Sequence, residues 1–299
     1  MRWSPEKGTT PVKIHAGFRL GFECPQPTPM MLMLSIHPSR RKDLLTDHVL
    51  TFSREVNARN YTDGFGNECT RIVAPAGETF VSTSFDIYDT GEHDIVPVDA
   101  VQHDVNDLPD AVLQFLLGSR YCDTDHLSDF AWQNFSATEP GWPRVQAIAD
   151  FVHDHIAFDY QKADATRTAH GGYIDKTGVC RDFAHLTITL CRAMNIPARY
   201  CTGYLGDIGV PAVPYPMDFS AWAEVYLGGR WHTIDARHNV PRIGRILMAT
   251  GRDATDVALS TSFGPTALTT FEVTTDEIEE AEAAAPPQAA AGGTASMQA

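Results

Sequence analysis

Apolar and polar positions alternate through the first third of the chain, then shift to three-and-four spacing in the middle. Residues 13–24, 30–37, 48–56, 68–74 and 79–88 read as strands. Turn signals separate them at Pro25-Gln26-Pro27, Pro38-Ser39 and Asp63-Gly64-Phe65-Gly66-Asn67. The stretch from Phe80 to Tyr88 is rich in the β-branched and aromatic side chains that suit a half-buried pleated surface. Several strands with no helical pattern between them predict an antiparallel sandwich or small barrel. Residues 92–107 are acidic and aperiodic, and read as a linker packed against one domain.

Helical spacing begins at 110–117 and returns at 127–135, where Asp125 is the expected cap. A third helix is expected over 143–158, with Val145, Ile148, Val152 and Ile156 on one face. It carries His153 and His155, which point about 200° apart on a helix and cannot share a metal. Residues 159–177 read as a polar loop containing Gly171-Gly172. The next helix runs from Gly178 to about Met194, burying Phe183, Leu186, Leu190 and Met194. Asn195 ends it and Ile196-Pro197 forbids its continuation. A strand over 198–205, a Pro/Gly loop over 206–218 and a hairpin of 219–227 with 230–237 around Gly228-Gly229 complete the pattern.

Composition narrows the class. Two domains suit 299 residues, and 43% hydrophobic with 10% aromatic content is ordinary for a chain that buries a core. A net charge of -15 argues against nucleic acid and anionic membrane surfaces as partners. The longest apolar run, Met30 to Leu34, is too short for a membrane span, and residues 1–12 lack the apolar core of a signal peptide. The six cysteines show no C-x-x-C spacing, so neither zinc nor a dithiol redox motif is expected. The thiols are read as reduced and the protein as cytoplasmic. His15, His37 and His48 are isolated and default to structural or surface roles.

Candidate chemistry concentrates at Cys180, in the first turn of its helix. Free N–H groups and the helix dipole favour a thiolate there, and Gly178 permits close approach of a substrate backbone. Cys191, mid-helix on the apolar side, is assigned to packing. In the hairpin, a Gly-Gly turn places Leu227 opposite Arg230, Tyr226 opposite Trp231, Glu224 opposite Thr233 and Trp222 opposite Asp235. Ser220 then shares a face with Asp235 as its diagonal neighbour. A nucleophile–base–orienter triad needs an imidazole between thiol and carboxylate, and position 220 carries a serine.

Residues 178–184, 218–226 and 231–235, in that order, resemble the core of the transglutaminase-like superfamily. The resemblance covers roughly 13–270 and is strongest from about 143 to 260. It implies an α+β chain: an N-terminal antiparallel β-sandwich-like domain followed by a papain-like, transglutaminase-like core. The expected divisions are a disordered 1–12, a β-domain and linker over 13–107, the core over 108–275 and a disordered tail over 276–299. By this resemblance Cys180 is the nucleophile, Asp235 the triad aspartate, and Ser220 occupies the usual place of the triad histidine. Trp222 and Glu224 match the family pattern, and Trp222 is either a substrate-binding wall of the acyl groove or a core aromatic.

Four other histidines bear on the missing imidazole. His238, three residues past Asp235, can swing back, and His170 lies on the loop before the cysteine helix. His232 falls opposite Val225 on the wrong face, and His185 sits about 140° round the helix from Cys180. His238 is favoured over His170. The arginines Arg237, Arg242, Arg245 and Arg252 suit either a carboxylate ligand or, with the larger share, structural pairing with Asp and Glu. The expected activity is a thiol hydrolase or acyltransferase acting on amide or isopeptide bonds of a peptide or protein through a Cys180 acyl-enzyme. No metal or organic cofactor is implied. The alternative is a non-catalytic peptide- or protein-binding module on the same fold, and a thiol redox protein is disfavoured.

Overall fold

The computed structural model describes residues 10–213 and 216–278. Six strands come first: β1 (Val12–Cys24), β2 (Thr28–Leu32), β3 (Thr51–Phe52), β4 (Arg59–Thr62), β5 (Glu68–Ala74) and β6 (Gly77–Asp89). A middle segment holds α1 (Asp110–Leu113), α2 (Thr124–Phe135), α3 (Trp142–His155), β7 (Ala157–Phe158), α4 (Ala169–Asp175), β8 (Thr177–Gly178) and α5 (Cys180–Ala193). Then come β9 (Ala198–Tyr204), β10 (Ser220–Leu227), β11 (Arg230–Ile234), β12 (Ile246–Gly251), β13 (Ser260–Ser262) and β14 (Ala267–Glu277).

The chain is α+β. Its N-terminal half forms two antiparallel sheets, ordered β14-β1-β6-β3 and β13-β2-β5-β4. Alternate residues of β1, Ile14 through Phe22, face inward with Met30, Leu32 and Ile72 of the second sheet, as the period of two requires. The C-terminal segment was expected to belong to the core up to residue 275. Instead β13 pairs with β2, and β14 pairs with β1 from Ile14↔Glu277 to Glu23↔Ala267. The sandwich is therefore built from both ends of the chain. The reason is an edge: β1 needs a partner on its second side, and β14 covers that row of backbone groups. The disorder expected for 1–12 and 276–299 lies largely outside the described residues, but Val12 opens β1 and Glu277 closes β14.

In the second half, α5 is buried almost all round, packed between β9 and β10 on one side and α2, α3 and α4 on the other. Phe183, Leu186, Leu190 and Met194 face this core, and Cys191 lies within it. Asn195, at φ +60°, and Pro197 end the helix as expected. The hairpin keeps the predicted register, from Leu227↔Arg230 to Ala223↔Ile234. Among the described residues no helix is long and apolar enough to cross a membrane.

Several local expectations change. α2 starts at Thr124 with Asp123, not Asp125, at its cap, and no side chain closes that cap. α3 stops at His155, and β11 stops at Ile234 rather than continuing to 237. The segment read as a polar loop contains α4, capped by the Thr168 hydroxyl accepting from Gly171 N–H.

The two halves are joined by a buried amide. Asn67 Nδ2 donates to Thr250 O at 2.8 Å and Thr250 N–H donates back to Asn67 Oδ1 at 2.8 Å. Asn67→Ala leaves both β12 groups unpaired and is expected to cost about 2 kcal/mol. Urea denaturation measures this, and a loss under about 0.5 kcal/mol would show that docking does not rest on the amide.

Candidate active site

Cys180 is fixed by what surrounds Gly178. β7 and β8 pair in parallel, Phe158 beside Gly178, and Asp159 N–H donates to Gly178 O at 2.9 Å. The Asp182 carboxylate folds back over the helix start and accepts from Val179 N–H at 2.8 Å. A Cβ on residue 178 would meet that carboxylate at 2.4 Å. The glycine is thus required by the protein's own cap, not by the approach of a substrate as the sequence suggested. Arg167 holds the same carboxylate at 3.3 Å.

The thiol is half-buried. Burial pushes it up to about 11, with Asp218 and Asp235 adding to the rise; Arg237 and the Ala221 amide oppose it. The expected thiolate character of a helix-start cysteine is outweighed here by desolvation. At neutral pH the resting sulfur carries its proton.

Asp235 follows directly on β11, and the next four residues fold into a tight turn. Asn239 N–H donates to Asp235 O at 2.8 Å, and Asn239 takes φ +51°. One carboxylate oxygen, Oδ1, accepts from the Arg237 and His238 amides at 3.1 and 3.3 Å. The other, Oδ2, accepts from His238 Nδ1 at 2.9 Å and Arg245 Nη2 at 2.8 Å. Burial penalises the Asp235 charge, but Arg245 and His238 outweigh it and hold the carboxyl well below the usual range. An ionised carboxylate only accepts, so His238 donates its Nδ1 proton to Asp235.

The turn is clamped from α3. Asn239 Nδ2 donates to Asp150 Oδ1 at 2.8 Å, Gln146 to Asn239 Oδ1 at 3.1 Å, and His153 Nδ1 to Ala236 O at 2.9 Å. His153 is therefore a packing residue, and His155 likewise bonds the Tyr173 carbonyl at 2.7 Å.

Ser220 begins β10, and its buried hydroxyl has no hydrogen-bond partner among the described residues. It lines a cavity of about 270 Å³ together with His238, Arg237, Asp218, Met217 and Tyr160. The next amide, of Ala221, is the one directed at the Cys180 sulfur. Ser220 and His238 thus share a cavity, Asp235 holds His238, and Asp235 and the Ala221 amide act on the Cys180 sulfur. The other histidines have different partners. His170 stacks on His126 at 4.9 Å, His185 is buried between Tyr121 and Tyr200, and His232 pairs opposite Val225 with its ring against Leu227 O.

Trp222 lies elsewhere. It lines a different cleft of about 420 Å³ between the two halves, with Arg40, Asp94, Glu224, Trp231 and Arg245. Its ring carries the Arg245 guanidinium at 4.9 Å. Trp222 thus lines this cleft and not the cavity of Ser220 and His238, and it supports Arg245. Asp94, from the linker, completes the network by accepting from Arg245 Nε at 2.9 and 3.1 Å, a contact that no local sequence signal announces. Arg242 pairs with Asp207 and Arg252 with Asp256, as the structural reading of the arginines expects. Among the described residues no cluster of three His, Cys, Asp or Glu side chains is placed to hold a metal.

Residues 132–236 match the model of the transglutaminase-like superfamily, a span that includes Cys180, Ser220 and Asp235 and ends two residues before His238. A solved structure from Cytophaga hutchinsonii, named as a candidate cysteine protease, is similar with a TM-score of 0.80 at 28% identity, over 92% of this chain and 93% of that one. An uncharacterized protein of Mycobacterium leprae (strain TN) is 40% identical over 123 residues, 39% of this chain and 43% of that protein. The chain therefore spans less than half the length of that relative. Residues 132–236 are thus similar to a transglutaminase-like core, and the α+β fold is similar to that of a candidate cysteine protease.

Arg245→Met leaves the buried Asp235 and the half-buried Asp94 beside an apolar side chain, and is expected to cost about 3–5 kcal/mol at pH 7. The Asp235 carboxyl is depressed in the folded state, so its contribution is fully present above its unfolded pKa of about 3.9 and fades as pH falls below that. The deficit of the variant should accordingly shrink below about pH 4. Denaturation midpoints across pH 3–7 measure it, and a constant deficit would separate the loss from the ion pair.

Proposed function

We propose that the chain is a thiol hydrolase or acyltransferase acting on amide or isopeptide bonds of a peptide or protein, with Cys180 as nucleophile and His238 as base. The observation that carries this reading is the His238–Asp235 bond of 2.9 Å, which leaves Nε2 as an acceptor on the cavity that Ser220 shares. The match to the transglutaminase-like core and the likeness to a candidate cysteine protease support it.

The raised thiol gives the base its task. With the sulfur protonated at rest, attack on a carbonyl requires that the proton leave as the S–C bond forms. Nε2 of His238 takes that proton while Asp235 stabilises the imidazolium formed. The oxyanion meets the first amides of α5, which have no acceptor within the helix. The leaving amine departs with the proton from Nε2, giving a Cys180 thioester. Water or an acceptor amine then gives its proton to Nε2 and attacks the thioester, and the proton returns to the sulfur. Ser220, a hydroxyl without basicity near neutral pH, adds no base. The rival reading, a binding groove without catalysis, draws on the same raised thiol.

An activated ester, 4-nitrophenyl acetate, separates the two. Wild type should form an acetyl adduct on Cys180, seen by mass spectrometry, and Cys180→Ala should form none. His238→Asn keeps a hydrogen bond to Asp235 and should slow acylation roughly 10²–10⁴-fold. Absence of the wild-type adduct would favour the binding groove, and an unslowed His238→Asn would remove His238 from the base role. Ser220→His returns an imidazole to the strand beside Asp235 and should raise the acylation rate; a fall would reveal a role for the serine hydroxyl.

A further inference from the structure

The site contains a cation that the proposed chemistry leaves unused. Arg237 lies between Ala236, which α3 clamps, and His238, which Asp235 holds, and its own amide bonds Asp235 Oδ1 at 3.1 Å. Its guanidinium rests 4.1 Å over the Phe158 ring. Phe158 is the strand partner of Gly178, two residues before Cys180. The same side chain lines the cavity of Ser220 and His238. Two fixed neighbours thus hold a half-buried positive charge over the ring that pairs beside Gly178.

Other arginines nearby are neutralised by carboxylates: Arg242 by Asp207, Arg245 by Asp94 and Asp235, Arg252 by Asp256. Among the described residues, the Arg237 guanidinium has no carboxylate at ion-pair distance; its contacts are the Phe158 ring and the Tyr160 hydroxyl, and Asp218, across the same cavity, is the carboxylate that feels its charge. In a chain of net charge -15, a cation without a direct ion pair beside a cysteine calls for a physical reason.

We propose that Arg237 is a positioning residue whose fixed charge faces the Cys180 sulfur and stabilises its anion, supplying the charge that an imidazolium at position 220 would otherwise carry. The proposal rests on Cys180 being the nucleophile but not on His238 being the base. The charged groups acting on the sulfur are Asp218 and Asp235, both unfavourable to a thiolate, and Arg237, which favours it. Tyr160 and Tyr200 are also close and are held neutral by burial. Without Arg237 the Ala221 amide would be left to favour the anion against two carboxylates and burial. A guanidinium suits the task because its plane stacks on Phe158 and its charge does not shuttle protons.

The measurement is the rate of Cys180 alkylation by iodoacetamide between pH 7 and 10, read on the Cys180 peptide by mass spectrometry, in full-length protein. Loss of a nearby opposite charge should raise the thiol by a unit or more. The thiolate fraction then falls about tenfold while its intrinsic reactivity rises, so Arg237→Gln should react at least about threefold more slowly at pH 8. Arg237→Lys should recover much of the rate. Arg237→Met keeps the stem on Phe158 and gives the same readout should the glutamine variant fail to fold. Adding Ser220→His to Arg237→Gln should restore reactivity, which a merely structural role for Arg237 would not allow. Wild-type alkylation rates in folded Arg237→Gln or Arg237→Met would overturn the proposal, and acetyl-adduct formation intact in the same samples would show that the hydrolase reading survives it. Arg237-dependent alkylation with no wild-type acetyl adduct would do the reverse.

Discussion

The site turns on a single carboxylate that serves three masters. Asp235 shapes the turn after β11 through one oxygen, and through the other it holds both His238 and Arg245. A buried carboxylate is tolerable only when paired and fully hydrogen-bonded. The cost of burying it explains why so much of the structure converges there. Arg245 is fixed by Asp94 from the linker and by the Trp222 ring, so the β-domain side and the core side both contribute to orienting the imidazole. The interdomain contact is part of the site's support.

What sequence showed of this was set by range. The cysteine helix, the β1 and β6 strands and the hairpin register follow from periodicity and a Gly-Gly turn, which are local physics, and the structure has them at nearly the expected residues. The return of β14 to β1 is a contact some 250 residues away in sequence, decided by an edge that needs covering. Nothing in 267–277 says which edge. Asp94 was hidden for a similar reason: an acidic linker reads as solvated until an arginine 151 positions later is placed against it. The α4 helix went unseen because its seven residues include two glycines and too few apolar positions to show a period.

The site was legible in its parts and misleading in its details. Cys180 and Asp235 stood out by position, and His238 by its three-residue offset from Asp235, which a tight turn turns into a contact. Gly178 marks the site in the sequence, but its missing Cβ makes room for the Asp182 cap. Trp222 shares a strand face with Ser220, but the sheet twists and the two residues open onto different cavities. Alternation assigns a side of the sheet; it does not say what covers that side two residues further on.

The serine at position 220 becomes intelligible when the work of a triad imidazole is divided into its two physical components. Such a ring removes a proton and, once protonated, supplies a positive charge beside the sulfur. No principle requires one side chain to do both. In the proposed mechanism adjacent residues of one turn divide the two: His238, bonded to Asp235, takes the proton, and Arg237, seated on Phe158, supplies the fixed charge. Dividing the tasks has a consequence for the resting state. A guanidinium cannot accept the thiol proton, so it lowers the sulfur only against the larger effect of burial, and the thiol stays protonated until a base acts. Under the proposed mechanism, proton removal therefore belongs to the step in which substrate arrives, and the nucleophile is not exposed as a free anion between turnovers.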